Sequence, residues 1–276
     1  VKPYYQHAGI TIYHGNALEI LLDLPDQSHD TLLTDPPYSS GGQFRGDRIQ
    51  SVHTKYVQSE SESGHALGSF SGDNRDQRSF GYWVSLWANE SRRVLRPGSI
   101  VACFTDWRQL PTMTDALQAG GIVWRGIVPW HKPNGRRTQG RWANDCEYVV
   151  WGTNGPRELE GRAPAGFYEV CSPAGEDRDH ITQKPLDLIA ALLRGLPGRT
   201  VLDPFMGSGT TLRAAKDLGL EATGIEIEEQ YCESAALRMA QESLWVGPNE
   251  VAQQERLDLP EAMVPVPDVP GFAWNH

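Results

Sequence analysis

Residues Val201 to Thr211 read Val-Leu-Asp-Pro-Phe-Met-Gly-Ser-Gly-Thr-Thr, a short apolar strand that runs into a glycine turn and opens a helix. Without Cβ atoms at Gly207 and Gly209 the backbone can bend sharply, and a ligand can approach the amides at the helix N-terminus. Leu212, Ala215 and Leu218 place a helix behind the turn, and Ala222 to Ile225 form the next strand, which ends at Glu226. Such a strand–helix–strand unit belongs in a doubly wound α/β sheet. A lone G-x-G turn would serve any α/β protein. Glu226 makes it more specific, because an acid about 20 residues past the first glycine can accept hydrogen bonds from both hydroxyls of a ribose. The unit is therefore expected to hold an adenosine. No Lys follows Gly209 in P-loop spacing, which disfavours a nucleotide triphosphatase.

The rest of the chain alternates in the same way. Strands are expected at Ile10 to Tyr13, Thr31 to Thr34, Ser99 to Phe104, Ile122 to Val128, Tyr148 to Trp151 and Thr200 to Leu202. Asn16 can cap a helix that stops at Pro25, and a second helix is expected from Phe80 to Leu95, ended by Pro97-Gly98. Further helices are expected from Leu110 to Gly120, from Leu186 to Gly195 and from Glu229 to Ser243. The pattern implies one α/β domain over 1–245, with a mixed, largely parallel sheet. Two stretches stand apart. Ser39 to Ser79, rich in Ser, Gly and charge, is far beyond the roughly 12 to 15 residues of an ordinary loop and reads as a mobile lid. The tail 246–276 is rich in Pro and acid and has no clear period.

Asp35-Pro36-Pro37-Tyr38 follows the strand that ends at Thr34. Two prolines fix the backbone and remove two amide donors, leaving the Pro36 carbonyl free to point into a cleft beside the Asp35 carboxylate. Two acceptors and an aromatic ring suit an exocyclic amino group. The acceptors can hold its two hydrogens while the nitrogen becomes more nucleophilic, and Tyr38 can stack on a base that has left its duplex. A strand-ending turn capped by Asp is the plainer alternative.

Taken together, Asp35-Pro36-Pro37-Tyr38 and Asp203-Pro204-Phe205-Met206-Gly207-Ser208-Gly209 resemble the DNA amino-methyltransferases that make N6-methyladenine or N4-methylcytosine. The catalytic tetrapeptide precedes the cofactor loop, as in the circularly permuted β class. The resemblance spans most of Ile10 to Met239. It implies a Rossmann-like methyltransferase fold, S-adenosyl-L-methionine as cofactor and double-stranded DNA as substrate, and it is compatible with a homodimer and a companion restriction enzyme. It assigns catalysis to Asp35, Pro36, Pro37 and Tyr38. The cofactor would be held by Asn16, Asp35, Thr182, Lys184, Asp203, Phe205, Gly207, Ser208, Gly209, Thr210 and Glu226. Asp203 would face the methionine amino group, Phe205 the adenine and Glu226 the ribose. Asn16 stands where the family has Asp. Asp at position 35 is commoner in adenine-N6 enzymes and Ser in cytosine-N4 enzymes, so adenine is expected, with cytosine-N4 as the alternative. No metal is required, and the absence of a Pro-Cys nucleophile motif argues against cytosine-C5 chemistry.

A formal net charge of -10 is unusual for a DNA enzyme, so phosphate contacts must come from local basic strips. Arg45, Arg48 and Lys55 in the lid are candidates, as are Lys132, Arg136, Arg137 and Arg141, which Trp130, His131 and Trp142 flank. In the β class, sequence is read just upstream of the His180 to Pro185 segment. Here that leaves only Gly152 to Asp179, the length of a loop module. Trp83, Trp87, Trp124 and Trp151 are expected in the core, and His7, His29 and His65 at the surface. Asp106, at a strand end, could approach the cofactor. The four cysteines form no C-x-x-C pair, no run approaches the roughly 20 apolar residues of a membrane span, and Val1 to Tyr5 lack a signal-peptide core. The cytoplasm of a bacterial or phage-infected cell is the expected compartment. A nicotinamide or flavin oxidoreductase leaves the Asp35 motif unexplained and lacks the third glycine of G-x-G-x-x-G. A DNA-binding module without turnover is the rival of another class.

Overall fold

The computed structural model describes residues 1–38, 75–135, 137, 139–140, 142–158, 163–173 and 184–240. The expected tail 246–276 and all but the last five residues of the expected lid lie outside them. The described residues belong to the unit Val1–Ser243.

Nine strands form one sheet: β1 (Tyr5–His7), β2 (Ile10–His14), β3 (His29–Thr34), β4 (Leu95–Thr105), β5 (Val123–His131), β6 (Cys146–Thr153), β7 (Tyr168–Glu169), β8 (Thr200–Asp203) and β9 (Glu221–Glu226), ordered β1-β2-β9-β8-β3-β4-β6-β5-β7. The five strands from β2 to β4 in that order are parallel, whereas β1 and β6 pair antiparallel with their neighbours. A mixed, largely parallel sheet was expected from the alternation of elements, and the fold agrees.

Helices α1 (Ala17–Asp23), α2 (Gln77–Val94) and α3 (Leu110–Ala119) cover one face, packing Leu21, Trp87 and Met113 against Leu32, Val101 and Leu202. Helices α4 (Leu186–Arg194), α5 (Thr210–Asp217) and α6 (Glu229–Ala240) cover the other, packing Ile189, Leu212 and Ala235 against Leu33, Ala102 and Val201. Adjacent residues such as Leu32 and Leu33 thus enter opposite cores, which is why the central strands read as continuous apolar runs. None of the described helices is long and apolar enough to cross a membrane.

The chain leaves β3 towards β4 on one side and leaves β8 towards β9 on the other, although β3 and β8 are neighbours. A crevice opens at such a switch point, above the carboxyl ends of the strands. Asp35 follows β3, Asp203 ends β8 and Glu226 ends β9, so all three acids stand along this edge.

Some boundaries differ from expectation. α2 starts at Gln77, inside the expected lid, because Asp76 caps it by accepting from the amides of Arg78 and Ser79. β4 begins at Leu95, before Pro97-Gly98 rather than after it. His29 pairs with Leu95 and Thr31 with Ile100, so the strand bulges around Pro97, which has no amide to donate. Trp124 is 43% exposed on β5 rather than in the core, its indole turned to the Gly126 carbonyl. His29 is buried rather than at the surface, with its ring between the hydroxyls of Ser28 and Thr223. Burial, with Arg96 adding to it, lowers its pKa to about 4.

Candidate active site

The crevice is an open cleft at the carboxyl ends of the strands. Asp35, Lys184, Asp203, Phe205 and the Gly207 turn line it. Gly207 and Gly209 have φ of 52° and 83°, in the left-handed region that favours glycine. A Cβ on Gly207 would meet only open space, so the backbone there faces the cleft, whereas one on Gly209 would stand 2.9 Å from the Ala235 Cβ. One glycine opens the site and the other lets α6 pack behind it.

Two carboxylates serve this turn. Asp203 is buried and accepts from the Thr34 hydroxyl at 2.6 Å and from the Phe205 amide at 3.1 Å. Glu226 accepts from the amides of Gly207 at 3.0 Å and Glu228 at 2.9 Å, which fixes both its oxygens. Burial pushes Asp203 up to about 6, against the hydrogen bonds from Thr34, Thr211 and the Phe205 amide. Burial likewise pushes Glu226 up to about 7. No cation pairs with either among the described residues.

Asp35 differs. Lys184, buried just before α4, donates to Asp35 Oδ2 at 2.5 Å and lies 3.4 Å from Glu147 Oε2 in an ion pair. Its Nζ stands over the rings of Tyr38 and Phe104, 5.5 and 5.2 Å from their centroids. Burial pushes Asp35 up to about 6 even though Lys184 opposes it, and the charges of Glu147 and Asp203 add to the rise. Asp35 Oδ1 is buried and has no hydrogen-bond partner among the described residues. A buried acceptor without a donor is costly, so it points to a ligand group that supplies one.

Residues 29–237, well over half of the chain, match the N6/N4 methyltransferase family, described as DNA methylase. The chain belongs to that family. Among curated relatives, the Type II methyltransferase M.BglII of Bacillus subtilis is 26% identical over 274 residues, covering 81% of this chain and 67% of that one. The crystal structure of M1.HpyAVI in complex with SAM is 25% identical, covers 84% of this chain and 100% of its own, and superposes with a TM-score of 0.58. The cytosine-N4-specific PvuII DNA methyltransferase, 17% identical, covers 91% of this chain and 93% of its own with a TM-score of 0.65, a likeness of fold alone.

In this DNA methyltransferase the other residues singled out from sequence fall into three groups. Around the cleft, Pro36, Ser208 and Thr210 are buried and Tyr38 is half-buried. Asn16 follows β2, next to Glu226, but its side chain caps α1 by accepting from the Leu18 amide. Phe205 rests on Trp83 and Trp87, ring centroids 5.0 and 5.3 Å away, so these tryptophans form the wall behind the turn. In the second group, side chains are engaged elsewhere. Asp106 accepts from the amides of Arg108 and Gln109 and turns the chain into α3. Lys132 donates to Glu147 Oε1 at 3.0 Å. Arg137 is exposed, its guanidinium 4.0 Å from Asp145. The third group, Arg45, Arg48, Lys55, Arg136, Arg141, Thr182 and His65, lies outside the described residues. Among the described residues, no group of three or more His, Cys, Asp or Glu could hold a metal ion.

Sequence reading did not find Glu147 or Thr34. Neither sits in a recognisable motif. The one available signal was Glu147 itself, a charged residue beside the apolar run Tyr148 to Trp151, where an acid is out of place unless it is paired.

Proposed function

We propose that this methyltransferase transfers a methyl group from S-adenosyl-L-methionine to the N6 amino group of an adenine flipped out of double-stranded DNA. The observation that carries this reading is the unpartnered Asp35 Oδ1 in the same cleft as Asp203 and the Gly207 turn. The residues suit the cofactor. Asp203, buried without a countercharge, attracts an ammonium group, Glu226 retains lone pairs for ribose hydroxyls, and Phe205 offers a ring to the adenine. Bound there, S-adenosylmethionine supplies an electrophilic methyl group on a sulfonium.

The chain's own work is alignment and charge stabilisation. Asp35 Oδ1 and the Pro36 carbonyl accept the two hydrogens of the amino group, drawing the nitrogen towards a tetrahedral state. Tyr38 stacks on the base. As the N–CH₃ bond forms and the S–CH₃ bond breaks to leave a neutral thioether, positive charge would pass to the nitrogen, where the Asp35 carboxylate would stabilise it. The departing proton goes to Asp35 or to water. Asp rather than Ser at position 35 supports adenine over cytosine. Expression in a methylation-free host, with modified bases mapped by single-molecule sequencing, tests this. N6-methyladenine at a defined site is expected. N4-methylcytosine would move the base assignment, and no new modification would overturn the reading.

A further inference from the structure

Beneath the acceptor carboxylate lies a second acid that nothing in the two motifs predicts. Glu147, on β6, is half-buried and faces Lys184 through Oε2 at 3.4 Å and Lys132 through Oε1 at 3.0 Å. Lys184 in turn holds Asp35 Oδ2. Four charged groups from four places in the fold thus alternate in sign: Asp35 after β3, Lys184 before α4, Glu147 on β6 and Lys132 after β5. Their formal charges cancel. A buried lysine with Asp35 as its sole partner would be free to fork across both carboxylate oxygens, because an ammonium carries three donors on a flexible stem.

We propose that Glu147 is a positioning residue for methyl transfer: anchored by Lys132, it draws the Lys184 ammonium to one side, so that Lys184 grips only Oδ2 of Asp35 and leaves Oδ1 to the substrate amino group. This rests on the amino-methyltransferase reading above. Four observations support it. Oδ1 has no partner among the described residues although Lys184 is in contact with the same carboxylate. Burial pushes the Glu147 carboxyl up, but Lys184 and Lys132 outweigh it and hold its pKa below the ordinary value, so Glu147 keeps the charge the role requires. Burial opposes the charge on Lys184, yet Asp35 and Glu147 together raise its pKa, so the cation persists between them. The rings of Tyr38 and Phe104 flank the same ammonium, so the residue that holds Asp35 also touches the one assigned to stack on the base.

The test is the pH profile of kcat for Glu147→Gln, a nearly isosteric change that removes the charge. The groups facing Asp35 are Lys184, Glu147, Asp203 at the end of β8 and the buried thiol Cys103 on β4. Of these, only Glu147 changes. The active form of Asp35 is the carboxylate, and Glu147 raises its pKa, so E147Q moves the acidic limb to lower pH. Its plateau kcat falls roughly tenfold, because the acceptor geometry loosens, while KM for DNA and for S-adenosylmethionine stays at the wild-type value. Glu147→Asp keeps the charge, so its limb stays in place and its kcat lies between the two. A merely structural acid would also move the limb through its charge, but would leave the plateau kcat at the wild-type value. Methylation by the wild type with an undiminished plateau kcat in E147Q, wherever its limb lies, overturns this inference alone. Should E147Q fail to fold, a wild-type kcat in E147D overturns it as well. No methyl incorporation by the wild-type chain overturns the amino-methyltransferase reading and this inference together.

Discussion

Asp35, half-buried, and Asp203, buried, stand at the ends of adjacent parallel strands and are both pushed up to about 6, yet the protein treats them in opposite ways. Asp35 has a full countercharge at 2.5 Å in Lys184. Among the described residues Asp203, like Glu226 one strand further on, is held only by hydroxyl and amide donors. The difference follows the charge of the ligand proposed for each. A neutral amino base brings no charge, so the protein supplies the cation that keeps its acceptor ionised. A cofactor with an ammonium group brings its own, and a resident cation beside Asp203 would compete with it.

Exchanging one carboxylate at a time should separate the two halves of the site. Asp35→Ala is expected to lower the rate of methyl transfer by about 10²- to 10⁴-fold, the scale of a lost acid–base partner, while weakening cofactor binding far less. Asp203→Asn is expected to do the reverse. It should weaken S-adenosylmethionine by about ten- to a hundredfold, as loss of a hydrogen bond to a charged group worth about 1.5–3 kcal/mol would, and retain most of the turnover at saturation. Single-turnover methylation and calorimetric titration of the cofactor read the two effects separately. Near-normal turnover by D35A would sink the role of Asp35, and equal losses of affinity in both variants would erase the contrast.

Acidity sharpens the comparison with a smaller effect. Asp203 must be ionised to hold an ammonium, and its pKa is raised to about 6, so cofactor binding below that pH requires loss of a proton. Affinity should rise with pH up to about 6 and level off above it, with a limiting slope of about tenfold per unit. Titrations near pH 6 in buffers of different ionisation enthalpy should register proton release. An affinity flat from about pH 5 to 8 would mean that Asp203 is already compensated.

How much of this could be read beforehand depended on the range of each interaction. The βαβ unit around Gly207 was legible because its turn, helix and acid lie within 20 residues or so and each has a local reason to be there. Asp35 was legible for the same reason: two prolines declare a fixed turn without help from the rest of the chain. The lysine that completes Asp35 arrives from 149 residues away, and Thr34 reaches Asp203 across 169, distances over which periodicity carries no signal. His29 shows the converse limit. A lone histidine on a polar strand start looks like a surface residue, and only the pairing of distant strands brings Thr223 over its ring. Trp124 looked like core because its strand is apolar, but β5 lies near the sheet edge, where one face of the ladder remains open. Lys132 looked like part of a basic strip because the partner that engages it, Glu147, sits on the neighbouring antiparallel strand.

The smallest effect is on stability, and there the contrast predicts a difference of size. A carboxyl whose folded pKa is raised favours the protonated native state, so its contribution is present at low pH and is lost as pH rises through about 6 for Asp203. At about pH 8 the ionised Asp203 is therefore a burden on the fold. Asp203→Asn keeps an acceptor for the Thr34 hydroxyl and the Phe205 amide and should stabilise the chain, by on the order of 1 kcal/mol. Asp35→Asn also removes a carboxylate whose pKa is raised to about 6, but it takes the countercharge from a buried lysine and leaves Glu147 alone between two cations, so it should stabilise less than D203N. Thermal unfolding of both variants at about pH 8 compares the two gains. Repeating it at about pH 5 supplies the control, because Asp203 is then already protonated in the native state and the gain from D203N should shrink. If D203N instead lowers stability at both pH values, its neutral donors suffice to solvate the charge. The two carboxylates would then differ in their ligands but not in what they cost the fold.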